Sequence, residues 1–367
     1  MEYNKIKLID CCRSISDGDH LPPPKSASGV PFITISNIDK DNYINFQETV
    51  FVPESYYDSL PDEKKAHKGD ILYSVVGSFG KPVYIDYEKR FVFQRHIAIL
   101  KPNNSVNPKY LYYTMCSPNF YYIADKMAIG AAQRTITLDS LRSAYVNIPK
   151  LEVQNDIVKV LECIDKKIHI NRKINDNLQR QMCLIYENIM TKASNIKMSG
   201  KYIEAKDITD VVTGKEDANF SIVNGQYKFF TCSNIPLRCN EAAFDSASVL
   251  IAGNGDFNVK HYTGKFNAYQ RTYVLTPPEK YYALLYLASL YHINSFKSSS
   301  AGSIVKFITK SDVEKIPIFV PEDNSCINYL NKLVRLQEQK SAENEKLIEL
   351  RDWLLPMLMN GQAIIAD

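Results

Sequence analysis

The second half of this chain repeats, in the same order, a series of short motifs found in the first. Pro31-Phe32-Ile33-Thr34-Ile35-Ser36-Asn37-Ile38 returns 197 residues later as Lys228-Phe229-Phe230-Thr231-Cys232-Ser233-Asn234-Ile235. Lys68-Gly69-Asp70-Ile71-Leu72-Tyr73-Ser74, followed by Gly77 and Gly80, resembles Ala247-Ser248-Val249-Leu250-Ile251-Ala252 with Gly253 and Gly255. Phe91-Val92-Phe93-Gln94-Arg95 matches Phe266-Asn267-Ala268-Tyr269-Gln270-Arg271, which sets the two Gln-Arg pairs 176 residues apart. Thr135-Ile136-Thr137 through Ile148-Pro149 matches Phe307-Ile308-Thr309 through Val320-Pro321, 172 residues apart. Four matches in one order, separated by loops of unequal length, point to a duplicated structural module.

Each copy closes on a proline, after which a long stretch without Pro or Gly begins, over 151–193 and again over 322–355. Proline is tolerated at a helix start and excluded from its interior, so both stretches read as long helices. In the first, the 4-3 spacing of a helical seam visits Ile157, Leu161, Ile164, Ile168, Asn171, Asn175, Leu178, Met182, Ile185 and Ile189. The second carries Ile327, Leu330, Val334, Gln337, Ser341, Asn344, Ile348, Leu355 and Leu358. Both stripes are polar in the middle, so an antiparallel pair would bring the polar residues together and fix the register. Alternatively, each helix packs on its own module and the polar patch has no partner. A 43-residue helix spans roughly 60 Å.

Within the modules, β-rich runs at 30–38, 70–76, 91–100 and 144–148 are bounded by turn residues, and 110–116 and 282–291 read as short buried helices. The expected fold is therefore α+β: two similar globular modules, 1–150 and 196–321, separated by two long antiparallel helices, 151–195 and 322–367, forming a coiled coil in a pseudo-twofold internal repeat. Two similar but non-identical modules at a set distance suit duplex DNA, whose half-sites recur with the helical turn. The expected target has two unlike halves and an unread spacer.

Composition agrees with a globular chain: 45% apolar and 23% charged, with a net charge of +3 that permits a polyanionic partner without requiring one. No apolar run is long enough for a membrane span, and Met1-Glu2-Tyr3-Asn4-Lys5 does not open a signal peptide, so no membrane association and a cytoplasmic location are expected. The eight cysteines form no C-x-x-C pair, and the six histidines do not cluster, so no metal site is expected.

The chain resembles the specificity subunit of type I restriction-modification systems. Gln154-Asn155-Asp156-Ile157-Val158-Lys159-Val160-Leu161-Glu162-Cys163-Ile164-Asp165-Lys166-Lys167-Ile168, continued by Asn171-Arg172-Lys173-Ile174-Asn175-Asp176-Asn177-Leu178, is similar to the family's first long helix. Leu350-Arg351-Asp352-Trp353-Leu354-Leu355-Pro356-Met357-Leu358-Met359-Asn360-Gly361 is similar to its C-terminal ending. Gly69-Asp70-Ile71-Leu72, Gln94-Arg95 and Ile148-Pro149 match landmarks inside the modules, although the second module has Ala247-Ser248 where the first has Gly69-Asp70. The resemblance implies a non-catalytic subunit that binds double-stranded DNA. It also implies assembly with two modification subunits, which hold S-adenosylmethionine and methylate adenine N6, and with translocating restriction subunits. Ile157, Leu161, Ile164, Ile168, Asn171, Asn175, Leu178, Leu330, Val334, Asn344 and Ile348 are the expected helix-pairing residues. A non-catalytic scaffold of a related defence system with a protein or RNA target has the same outline.

Base reading calls for Arg, Asn or Gln on rigid supports, and phosphate clamping for Lys, Arg and Ser. In the first module the candidates are Lys25 with Ser26, Ser36 with Asn37, Ser78 with Lys81, and Gln133 with Arg134. In the second they are Ser233 with Asn234, Asn254 with Lys260, Ser299 with Ser300, and Ser303 with Lys306. Gln133-Arg134 and Ser303-Lys306 rank first, because they lie in matched loops. Gln94-Arg95 and Gln270-Arg271, shared by both copies, read as scaffold or phosphate contacts, since residues that specify different sequences should differ. No catalytic residue and no cofactor are expected in this chain. Asn107-Pro108-Lys109-Tyr110 lacks the second proline of an adenine methyltransferase loop and reads as a helix start. Pro61-Asp62-Glu63-Lys64-Lys65 is too compressed for a magnesium-holding nuclease site and reads as a solvated loop. Gly253-Asn254-Gly255-Asp256-Phe257 reads as a tight turn, and no phosphate-binding loop is present.

Overall fold

A computed structural model describes residues 3–363 except 19–21, 40–41, 132, 196, 256 and 300–306, with only the backbone described over 294–299. The chain forms two compact units, one of residues 1–167 with 346–367 and the other of residues 168–345.

In the first unit the chain runs β1 (Asn4–Lys7), β2 (Cys12–Asp17), β3 (Val30–Ile33), β4 (Val50–Val52), α1 (Glu54–Ser59), β5 (Ile71–Ser74), β6 (Pro82–Tyr84), β7 (Val92–Phe93), β8 (Ile97–Pro102), α2 (Pro108–Cys116), α3 (Pro118–Met127), α4 (Leu138–Ser143) and β9 (Tyr145–Ile148). Strands β2-β8-β5-β6 form one sheet, β4-β3-β7 a second, and β1 pairs with β9. Strands β5 and β8 are buried along their whole length, which explains the apolar runs Ile71-Leu72-Tyr73 and Ile97-Ala98-Ile99-Leu100. Helix α2 starts where Asn107 accepts hydrogen bonds from the N–H groups of Lys109 and Tyr110, with Pro108 in the first turn.

Helix α5 (Leu151–Ser194) follows. Then come β10 (Gly200–Glu204), β11 (Val211–Thr213), β12 (Tyr227–Phe230), β13 (Leu237–Cys239), β14 (Phe244–Ala252), β15 (Val259–Ala268), β16 (Thr272–Leu275), α6 (Tyr282–Ser299), α7 (Lys310–Glu314), β17 (Pro317–Pro321) and α8 (Asn324–Met359). Here one six-stranded sheet has the order β11-β16-β14-β15-β12-β13, and β10 pairs with β17 as β1 does with β9.

The two units share a topology, and the register shows how it varies. The parallel pairs Phe32↔Val92 and Ile33↔Phe93 correspond to Phe229↔Asn267 and Phe230↔Ala268. In the first unit six residues, 85–90, divide β6 from Phe91 and leave two sheets. In the second only Tyr262, Thr263, Gly264 and Lys265 lie between His261, the register counterpart of Tyr84, and Phe266, and β15 runs straight through, fusing the two sheets into one. The expected run over 91–100 is broken by a turn between β7 and β8, and the same turn divides β15 from β16.

The long helices do not stand apart from the modules. Ile157, Val158, Leu161, Leu355, Leu358 and Met359 are buried in the core of the first unit. Leu178, Met182, Tyr186, Ile189, Ile327, Leu330 and Val334 are buried in that of the second. Ile164 and Ile168 are also buried, whereas Asn175 and Ile348 are half-buried. Within the second unit the two helices meet in opposite directions. Asn171 Nδ2 donates to Asn344 Oδ1 (3.0 Å), Asn175 Nδ2 to Ser341 Oγ (3.0 Å), and Gln337 Nε2 to Gln179 Oε1 (3.3 Å). Within the first unit, Arg351 on α8 pairs with Asp165 on α5 (3.2 Å). The helices therefore pack on the modules, as the second alternative has it, but their polar residues are paired, as the first has it. Helix α8 also continues through Pro356, past the end of the stretch free of Pro and Gly.

A polar cluster fastens the second sheet to α8. Glu338 accepts from Tyr282 Oη (2.7 Å) and Thr263 Oγ1 (3.0 Å) and lies 2.9 Å from His261 Nδ1, while His261 Nε2 lies 2.9 Å from Gln337 Oε1. Burial works to raise the Glu338 carboxyl, but its hydrogen bonds, with His261 and Tyr282 foremost, outweigh that and hold it below the usual range.

Among the described residues no helix is long and apolar enough to cross a membrane, and no group of three or more His, Cys, Asp or Glu is placed to hold a metal ion. All eight cysteines are free thiols.

Candidate nucleic-acid interface

In the first unit β2, β3, β5 and β7 all finish, and β8 begins, at one end of the sheets. The loops emerging there are tied together by backbone bonds. Gln94 N–H donates to Ile33 O (3.0 Å), Val75 N–H to His96 O (2.9 Å), Gly77 N–H to Arg134 O (3.0 Å) and Ile136 N–H to Val75 O (2.8 Å). The second unit repeats this lattice: Tyr269 N–H to Phe230 O (2.9 Å), Gly253 N–H to Arg271 O (2.9 Å) and Ile308 N–H to Gly253 O (2.8 Å). Each unit thus presents one rim of loops on a rigid sheet end.

A close approach fixes the turn in each rim. A Cβ on Gly18 would fall 2.1 Å from Phe93 O, and one on Gly214 only 1.8 Å from Ala268 O. Only glycine lets β2 and β11 end so near the turn. This glycine pair was the sequence signal for the turn that motif matching overlooked. Gly77 and Gly255 likewise occupy the same place, with φ of 68° and 72°.

These landmarks correct one sequence match. The backbone bonds set Gln94 in the place of Tyr269, Arg95 in that of Gln270, and His96 in that of Arg271. The two Gln-Arg pairs are one residue out of register and are not a shared feature. Gln270 donates Nε2–H to Asp217 (2.6 Å), a local scaffold contact. Arg95 and Arg271 are exposed, and their guanidinium groups have no partner among the described residues.

In the first rim Lys25, Gln94 and Arg95 line one cleft of about 360 Å³, walled by Phe32, Phe51 and Val52. Burial, followed by the Arg95 charge, holds His96 on its wall below the usual histidine value. Ser26 is half-buried and pairs through its backbone with Phe51. Ser36 is exposed, but Asn37 caps its own turn by accepting from Thr34 N–H (2.9 Å). Ser78 is exposed and Lys81 half-buried, on the loop between β5 and β6. Gln133 is exposed, whereas Arg134 is paired with Asp125 and lies over the Phe79 ring at 5.3 Å. Phe79 in turn stacks on Tyr121 (5.9 Å, 9°), a support that sequence reasoning did not single out.

In the second rim Ser233 and Asn234 are exposed and Asn254 is half-buried. Lys260 lies on β15, not in a loop, and donates to Thr231 O (3.2 Å) and to Asn258. Burial depresses its ammonium to about 8. Asn258, absent from the candidates, clamps the same loop by donating to Cys232 O (2.6 Å). Ser300, Ser303 and Lys306 lie outside the described residues, as does the side chain of Ser299.

The segments with a partial likeness to enzyme motifs have structural roles. Asn107 donates its Nδ2–H to Asn155 (2.7 Å) while capping α2. Asp62 sits in a 3-10 turn beside His67 (2.8 Å) at the surface.

Known proteins agree with this duplicated design. A family model described as the type I restriction modification DNA specificity domain matches twice, over residues 6–180 and 183–348. The EcoDI specificity subunit of Escherichia coli, a type I restriction enzyme subunit, is 36% identical over 177 residues; that match spans 46% of this chain and 40% of the relative. A putative type I restriction enzyme MjaX specificity subunit of Methanocaldococcus jannaschii is 23% identical over 98% of this chain and 93% of its own. The crystal structure of a type I restriction-modification S subunit from M. genitalium superposes with a TM-score of 0.60 at 17% identity, covering 100% of this chain and 97% of that one, and shows the same fold. With the domain present in two consecutive copies, the chain belongs to the type I restriction modification DNA specificity family.

Proposed function

We propose that this chain is the DNA-reading subunit of a type I restriction-modification complex, taking a two-part target with one half-site per unit. One observation carries the reading: two rims of the same backbone lattice present different side chains. Arg95 stands where the second rim has Gln270, and His96 where it has Arg271. The same scaffold with different side chains is what two unlike half-sites require.

Arg95, Arg271 and Lys25, exposed and without partners among the described residues, suit phosphates; Ser36, Ser78, Gln133 and Asn234 suit base edges. The chain performs no chemical step. Modification subunits would hold S-adenosylmethionine and methylate adenine, and restriction subunits would join them. Exposed apolar residues on the long helices offer docking surface: Leu350 and Trp353 in the first unit, Leu184 and Tyr329 in the second.

The test is to combine the chain with a methyltransferase subunit of such a system and random duplex DNA, then map the methylated adenines. An asymmetric motif in two parts is expected. Methylation without sequence preference, or by this chain alone, would overturn the proposal.

A further inference from the structure

The repeated Ser-Asn-Ile has two different fates. In the first unit sixteen residues, 34–49, connect β3 to β4, and Ile38 turns inward: it is 4% exposed, bridges Ile44 and joins the cluster around Ile33 and Phe91. Its neighbour Asn37 is consumed as a cap, accepting from Thr34. In the second unit only six residues, 231–236, connect β12 to β13, too few to fold back over anything. Ile235 is left 56% exposed, and Asn234 is exposed with its amide unpartnered among the described residues.

This loop is not slack. Asn258 and Lys260 hold the carbonyls of Cys232 and Thr231, Ser233 N–H donates to Thr231 Oγ1 (3.2 Å), and Ile235 N–H donates to Ser233 Oγ (3.3 Å). Cys232 Sγ lies 3.5 Å from Arg271 O, which sets the hairpin tip beside the exposed arginine. An aliphatic side chain is thus presented on a rigid support in the rim that faces DNA.

We infer that Ile235 reads the 5-methyl group of a thymine in the second half-site. The thymine methyl is the apolar feature a base pair offers in the major groove, and a branched aliphatic chain can recognise it without a hydrogen bond. Asn234, one residue away, carries the donor–acceptor pair that suits an adjacent adenine. The inference rests on the DNA-reading proposal and adds a base and a residue to it. Exposed Ile222, Val223 and Leu237 on neighbouring segments make a protein contact the competing use of this surface.

The experiment uses the full chain with its methyltransferase partner and duplexes bearing the mapped motif. Each thymine of the motif is replaced in turn by deoxyuridine, which removes only the methyl. At one position in one half-site, affinity should fall about three- to tenfold, the scale of losing one buried methyl contact. Ile235→Ala should show a similar loss on the thymine duplex and no further loss with deoxyuridine at that position, while Ile235→Val retains most of the discrimination. Indifference of the wild type to every deoxyuridine, or an undiminished penalty in Ile235→Ala, would overturn the inference. So would an Ile235→Ala chain that binds DNA normally but no longer joins its partner subunit. Failure of the underlying proposal looks different: the wild type would then give no motif to substitute.

Discussion

Lys101 Nζ lies 2.8 Å from Asp70 Oδ2 inside the first unit, with both side chains buried. At the same two positions the second unit has Ser248 and Thr276, whose hydroxyl oxygens are 2.9 Å apart. One module thus joins β5 to β8 by an ion pair, and the other joins β14 to β16 by a neutral bond. Removing one partner strands a buried charge, at a cost of about 3–5 kcal/mol. We expect Asp70→Ala to lower the melting transition of the first unit sharply, and the double change Asp70→Ser with Lys101→Thr to restore most of it. A single mutant that melts like wild type would contradict this, and calorimetry of the full chain decides it.

Arg95 and Arg271 are exposed in the two rims and unpartnered among the described residues, so each should release about one counterion on docking. Arg95→Ala and Arg271→Ala should each weaken binding about tenfold at moderate salt and lower the slope of log affinity against log salt by roughly one. Titrations at several salt concentrations measure both quantities. An unchanged slope would remove these residues from the phosphate contacts.

Arg134 differs, because Asp125 and the Phe79 ring fix its guanidinium in one orientation. A fixed fork favours base discrimination over loose charge attraction. Arg134→Ala should relax specificity in one half of the mapped motif and leave the other half intact. Equal loss in both halves would argue against independent units.

Lys260 gives the second unit a pH dependence. Its ammonium is depressed to about 8 by burial, against about 10.4 in an unfolded chain. Between those values the unfolded chain holds a proton that the folded one has released, so this residue makes stability rise with pH across that window. Below pH 8 both states are protonated and the burden of the buried charge is fully present. Relative to Lys260→Met, the wild type should therefore gain melting temperature between pH 7 and 9.5. A constant difference would assign Lys260 an ordinary value.

The single tryptophan, Trp353, is 57% exposed on α8. If modification subunits dock on that face, Trp353 emission should shift to the blue when a tryptophan-free partner is added, and Trp353→Ala should weaken the association. No spectral change on a complex shown to have formed would place docking elsewhere.

Much of this architecture was written in the sequence at the level of pattern. The ordered motifs foretold a duplicated sheet, and the stretches free of Pro and Gly foretold α5 and most of α8. The N-cap at Asn107 was also legible, because capping is local chemistry. What escaped was the meaning of small differences in length. Matching Gln94-Arg95 to Gln270-Arg271 favoured identity over register, and only Gly18 and Gly214, pressed against the turn, show which residues correspond. Two residues fewer before Phe266 merged two sheets, and ten fewer after Phe230 turned an isoleucine from core to surface. Lys260 and Asn37 looked like free polar groups because their partners lie elsewhere in the chain or are backbone atoms.

Leu355, Leu358 and Met359 complete the core of the first unit, and Tyr3 Oη donates to Leu358 O (2.8 Å). The first unit therefore cannot complete its core until α8 has been made, because that wall follows the whole of the second unit along the chain. The second unit, whose core draws only on residues 168–345, has all its parts first. Folding during synthesis should run against the order of translation, leaving the first-made half waiting for the last-made turns of α8.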